Sequence, residues 1–197
     1  MHSNAYNPMK KQCLLFATLL LVSLFTFAQQ WGNFTLYSVS GSTTAYLVDT
    51  NGVNHHIWTG LSGGTGYSSY LMPGGVLWRT VRNTGNQISG GGVTGRVQKV
   101  AYDGTLLWDF VYSSSTYCLH HDICPLPNGN VLLISYDVKT SAEATAAGVA
   151  VGHTMWSEKI IEVQPTGATT GNIVWEWRFW EHLTQNIDST KANYPPT

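Results

Sequence analysis

The residues best able to do chemistry lie in one short run, Cys118-Leu119-His120-His121-Asp122-Ile123-Cys124, which leads directly into Leu126-Pro127-Asn128-Gly129-Asn130. A strand that opens with His-His-Asp can present imidazole to a bound ligand. Side chains alternate along an extended strand, so His120 and Asp122 are expected on one face and His121 on the other. Only one of the two histidines then lines a site. Two blander readings stand beside this one. The histidines can be hydrogen-bonded within their own sheet, or a His-x-Asp pair can supply two metal ligands. No second cluster of His, Cys or carboxylates follows at zinc-like spacing, so no closed zinc site is expected.

A second constellation is Trp175-Glu176-Trp177-Arg178-Phe179-Trp180-Glu181-His182-Leu183. Alternation places Trp175, Trp177 and Phe179 on one face, expected to be core, and Glu176, Arg178 and Trp180 on the other. His182 falls where the strand should end, either beside a ligand or exposed in a connecting loop. His55 and His56 precede Trp58 and read as surface or packing residues. Cys118 and Cys124 would sit roughly 20 Å apart in a continuous strand, far beyond the ~7 Å that permits a bridge. A disulfide therefore requires a loop between them, and the alternative is two half-buried thiols. No phosphate-binding glycine loop occurs, which leaves nucleotide enzymes without a foothold.

The elements that position these residues repeat. An apolar strand, a glycine turn and a strand containing Trp recur as Tyr46–Gly52 leading to Ile57-Trp58, Lys99–Thr105 leading to Leu107-Trp108, and Lys159–Gly167 leading to Ile173-Val174-Trp175. A second theme pairs Met72-Pro73-Gly74-Gly75-Val76-Leu77-Trp78 with Leu126–Leu133. Both copies of the second theme read as hairpins, with Asn-Gly and Gly-Gly supplying the positive φ angles of primed turns. The copies recur about every fifty residues, the period of four-stranded propeller blades. The expected fold is all-β, a β-propeller of which residues 29–197 hold about three blades and which is therefore incomplete here. Thr140 to Gly152, rich in Ala and Thr, reads as a connecting loop or short helix.

Composition agrees. Of 197 residues only 11% are charged and the formal net charge is −1, which excludes a basic nucleic-acid binder and an acidic disordered tail. Twenty glycines, eight tryptophans and ten tyrosines favour aromatic strands with tight turns over a helical bundle. At the N-terminus, Lys10-Lys11 precede an apolar run from Cys13 to Phe27 that ends at Ala28. This has the form of a secretory signal, expected over residues 1–28, with residues 1–8 upstream of a true start at Met9. The run is shorter than the ~20 apolar residues that span a bilayer, so no membrane attachment is expected after its removal.

His120-His121-Asp122-Ile123 followed by Pro125-Leu126-Pro127-Asn128-Gly129-Asn130-Val131-Leu132 resembles the arylsulfotransferase pattern of His-Asp before a Leu-Pro-Asn-Gly-Asn turn. The stretch from Ile160 through Trp175-Glu176-Trp177 to His182-Leu183 is similar to the next blade of such proteins. The resemblance implies a six-bladed propeller, secreted or periplasmic, that moves a sulfuryl group from an aryl sulfate to a phenol without a nucleotide donor or other cofactor. It also implies a histidine nucleophile, assisted by other channel histidines and an arginine. His121 is the residue matched to a channel histidine, with His120 and His182 as the further candidates. The family's Asp-Trp-x-His-x-Asn segment and channel arginine find no match after His182. The chain is accordingly expected to be part of a longer enzyme and not to turn over alone. The competing reading is a non-catalytic secreted propeller that binds a protein or glycan through exposed aromatics.

Overall fold

The computed structural model describes residues 32–149 and 152–195. The expected signal segment lies outside the described residues. Within them the chain forms three antiparallel sheets, strand following strand. The first comprises β1 (Phe34–Ser38), β2 (Ala45–Asp49) and β3 (Asn54–Trp58). The second comprises β4 (Thr65–Met72), β5 (Val76–Arg82), β6 (Gly95–Val100) and β7 (Leu106–Val111). The third comprises β8 (Tyr117–Pro125), β9 (Val131–Lys139), β10 (Met155–Pro165) and β11 (Gly171–Arg178). The repeat seen in the sequence is therefore a repeat of sheets. Its first theme joins the last two strands of each sheet, and its second joins the first two strands of the second and third sheets.

The glycines of the second theme, Gly74, Gly75 and Gly129, have the positive φ expected of them, and the first theme's hairpins close on three-residue loops. Asp49 N–H donates to Val53 O at 3.0 Å, and Ala101 N–H donates to Thr105 O at 2.8 Å. Each loop thus holds three residues, with Gly52 (φ 78°) and Gly104 (φ 90°) as the last. No described non-glycine residue has positive φ, so Asn51 and Asp103 stay right-handed. A three-residue loop needs a single left-handed position, where a primed two-residue turn can need two. Asp49 Oδ1 accepts from the Asn51 and Val53 amides, both at 2.9 Å, which sets the turn from the side chain.

Two apolar cores lie between successive sheets. Ala45, Leu47, Trp58, Leu61, Leu77 and Val100 fill the first, and Trp78, Val97, Trp108, Leu119, Leu133 and Ile161 are part of the second. The repeated tryptophan bridges them. Trp58 Nε1 donates to Ala101 O at 3.0 Å and Trp108 Nε1 to Thr170 O at 2.9 Å, so each ring reaches from one sheet into the outer hairpin of the next. Both are 2% exposed, whereas Trp175, third in the series, is 48% exposed. The expectation that Trp175, Trp177 and Phe179 form core is therefore corrected. Burial of Trp58 and Trp108 comes from the following sheet, and among the described residues no sheet follows β11.

The segment after β9 contains α1 (Ser141–Ala146), started by a capping box in which Thr140 and Glu143 satisfy each other's backbone amides. Among the described residues, no helix is long and apolar enough to cross a membrane.

Candidate active site in the bulged strand of the third sheet

β8 does not alternate through its histidines. Its ladder with β9 pairs Leu119 with Ser135 and resumes with Ile123 opposite Leu133, so His120, His121 and Asp122 together face Ile134 alone. A bulge of this kind bends a strand and re-aims its side chains. The predicted arrangement, with His120 and Asp122 on one face, is corrected accordingly. His120 turns inward, 1% exposed, while His121 and Asp122 both point out. The first strand of the second sheet is bulged at the matching place: Thr65 pairs with Val81 and Ser69 with Arg79, leaving Gly66, Tyr67 and Ser68 opposite Thr80. Thr80 Oγ1 accepts from the Tyr67 and Ser68 amides at 2.9 and 3.0 Å, replacing the ladder bonds lost there.

The two imidazoles are brought together, not separated. His120 Nδ1 lies 2.9 Å from His121 Nδ1, a hydrogen bond that needs a proton on one nitrogen and a lone pair on the other. The Tyr136 ring stacks on His120 with centroids 4.3 Å apart, and its hydroxyl donates to Gly91 O at 2.6 Å. Burial, reinforced by His121, depresses the His120 pKa to about 4, so the ring is neutral. Its Nε2 has no hydrogen-bond partner among the described residues and stands 3.8 Å from Glu158 Oε1. That approach is too long for a hydrogen bond and, with His120 neutral, is not an ion pair.

Asp122 is held from two sides. Its Oδ1 accepts from the Tyr70 hydroxyl at 2.8 Å and from the Ile123 amide at 2.8 Å. Burial, followed by the carboxylate, pushes the Tyr70 phenol up to about 12. Tyr70 was not among the residues singled out in the sequence. Aligning the two Pro turns, which matches Pro73 with Pro127, sets Tyr70 level with Cys124 and was the signal available. The loop before β6 lies against the His121 side chain: Gly92, left-handed at φ 77°, would place a Cβ in ordinary contact with it at 3.4 Å.

Beside His121 and Asp122 opens a cavity of about 260 Å³, lined also by Cys124, Leu132, Ile134 and Ile160. A second, of about 310 Å³, borders Glu158 with Trp156, Phe179 and Trp180. Cys118 is buried and Cys124 exposed, both as free thiols, so the bulge does not bring them into a bridge. His182 ends a 3-10 helix (Phe179–His182) and stacks flat on Trp177 at 4.9 Å and 11°. No described contact joins it to His121.

Charge concentrates elsewhere in the same sheet. Asp137 pairs with Lys139 at 2.9 Å and Arg178 at 3.1 Å, and Arg178 also bonds Glu176, which Lys159 approaches at 3.4 Å. No group of three or more His, Cys, Asp or Glu able to hold a metal occurs among the described residues. The bulge therefore offers an outward imidazole with one ring nitrogen engaged and one available, beside a fixed carboxylate and an apolar hollow of aryl dimensions. Such a site suits group transfer between small aromatic molecules. A family model described as Arylsulfotransferase (ASST) matches residues 24–196. No curated protein matches the chain.

Proposed function

The chain belongs to the arylsulfotransferase family, and from that membership we propose that the bulged strand β8 forms part of a site that transfers a sulfuryl group from an aryl sulfate to a phenol. The three sheets are, in this reading, blades of a propeller of the six-bladed type, and the protein is exported to the periplasm or beyond. The sulfuryl group passes through a covalent histidine intermediate, and His121 meets the transferring group or its acceptor. One observation carries this reading: the bulge aims His121 at the cavity and buries His120 behind it. A transfer site has to fix its reacting group in place, and the hydrogen bond to His120 orients the His121 ring.

The test is release of 4-nitrophenol from 4-nitrophenyl sulfate with a phenol as acceptor, together with calorimetric binding of the aryl sulfate. His121→Ala is expected to lower turnover about 10²- to 10³-fold where turnover is measured, and to weaken binding in every case, while the fold is retained. Unchanged binding and release would overturn the assignment. Exposed Trp175 and Phe179 favour a second reading, a non-catalytic module that holds a protein or glycan partner. Retention of the chain on an immobilised glycan with no affinity for aryl sulfate would select it.

A further inference from the structure

We infer that Glu158 and His120 act as a relay that fixes His121 with its proton on Nδ1 and a bare Nε2, so that His121 enters the chemistry as a proton acceptor and not as a hydrogen-bond donor. The 2.9 Å separation of the two Nδ1 atoms allows one proton between them. His120 is neutral and carries a single ring proton, on Nδ1 or on Nε2. The choice follows from what faces Nε2. That atom is buried without a hydrogen-bond partner, and the charged group nearest it is the Glu158 carboxylate at 3.8 Å.

A bare Nε2 lone pair would point at a carboxylate, with repulsion and no donor to satisfy it. An Nε2–H points its positive end at the same carboxylate and is attracted. The remaining neighbours are indifferent to the choice. Tyr136 presents its ring face and spends its hydroxyl on Gly91 O, and Val93 meets His120 only through a backbone bridge. With the His120 proton on Nε2, its Nδ1 must accept, and His121 must donate from Nδ1. His121 Nε2 is then left with its lone pair.

The consequence for transfer rests on the function proposed above. As the phenol oxygen bonds to sulfur, its O–H bond breaks and the proton passes to His121 Nε2. The sulfur gives up its bond to the nitrogen or aryl oxygen that carried it. His121 is left as imidazolium and returns the proton to solvent. Glu158 and His120 are positioning residues, touching neither sulfur nor phenol.

Tautomers can be read directly by long-range ¹H–¹⁵N correlation of the ring nitrogens in labelled protein at about pH 8, above the ordinary histidine range. The expected pattern is pyrrole-type Nδ1 with pyridine-type Nε2 for His121, and the converse for His120. Glu158→Ala removes a half-exposed side chain and leaves the core intact; it is expected to bring a mixture of both tautomers to each ring. His120→Asn, which keeps an acceptor oxygen behind His121, is expected to preserve the His121 pattern. A proton on His121 Nε2 in the parent, or unchanged rings in Glu158→Ala, would overturn the relay, and neither outcome depends on His120 variants folding. The resting tautomer is measured without substrate. An expected pattern in a protein that neither binds nor turns over aryl sulfate would therefore sink the function and spare the relay.

Discussion

The Tyr70 hydroxyl donates to Asp122 Oδ1 at 2.8 Å, and through that one bond the first strand of the second sheet steadies the bulge in the first strand of the third. The pair joins residues 52 positions apart in the chain. Tyr70→Phe is expected to cost about 1 kcal/mol in urea denaturation, the usual net worth of such a bond. The phenol itself reports the contact. Burial raises Tyr112 and Tyr136 as well, so absorbance titration should show a late-ionising group of tyrosines with Tyr70 near about 12, and Asp122→Ala should move the Tyr70 component earlier.

His120 links stability to pH with a definite sign. Its folded pKa is depressed to about 4, below the ~6.5 of an unfolded histidine, so between these values the unfolded chain binds a proton that the folded chain refuses. Stability is therefore full above about pH 6.5 and falls as pH drops toward 4. His120→Phe, which keeps the stack on Tyr136, should flatten the dependence of the urea midpoint across that window. An equally steep dependence in the variant would show that other groups carry it.

The two thiols should behave differently. Cys124 is exposed at the cavity and Cys118 is buried against Ser113 Oγ, with its thiol pKa raised by burial. Alkylation of the folded protein is expected to modify Cys124 rapidly and Cys118 only on unfolding. The intact mass should be the same with and without reductant, and a two-proton difference would establish a bridge.

A buried charge in the second sheet gives a further case. Arg79 is fully buried, with only Nη2 bonded, to Gly63 O, while Nε and Nη1 find no partner among the described residues. Burial, and then the neighbouring Arg96, lower its pKa to about 10. Asp109, bound twice by Arg96, is the carboxylate that offsets both cations. Asp109→Asn should destabilise by about 2–4 kcal/mol, whereas Arg79→Met should be close to neutral or stabilising, because a well-packed apolar side chain avoids the desolvation cost. Thermal denaturation of both variants checks the contrast.

Much of the architecture was legible from spacing alone. Gly52 and Gly104 mark corresponding hairpins because a tight turn needs glycine wherever the backbone turns left-handed, and that need does not depend on distant residues; Gly167 marks the third hairpin without a left-handed backbone. The His-His-Asp segment was visible for the same local reason. Its orientation was not. The rule of alternating faces assumes an unbroken ladder, and three residues of β8 opposite one of β9 void it. Tyr70 went unseen because its role comes from the packing of one sheet's first strand on the next. Trp175 looked like core because it copies Trp58 and Trp108, but a tryptophan's burial depends on what lies against it.

The indole bonds from Trp58 to Ala101 and from Trp108 to Thr170 give the molecule a direction. The first sheet is locked by the second and the second by the third, so among the described residues these bonds couple nearest neighbours, as in a one-dimensional array. Damage at one junction should then spread with distance-dependent loss. Trp108 would sense a lesion near Thr170 strongly, and Trp58, a junction away, only through the sheet between them.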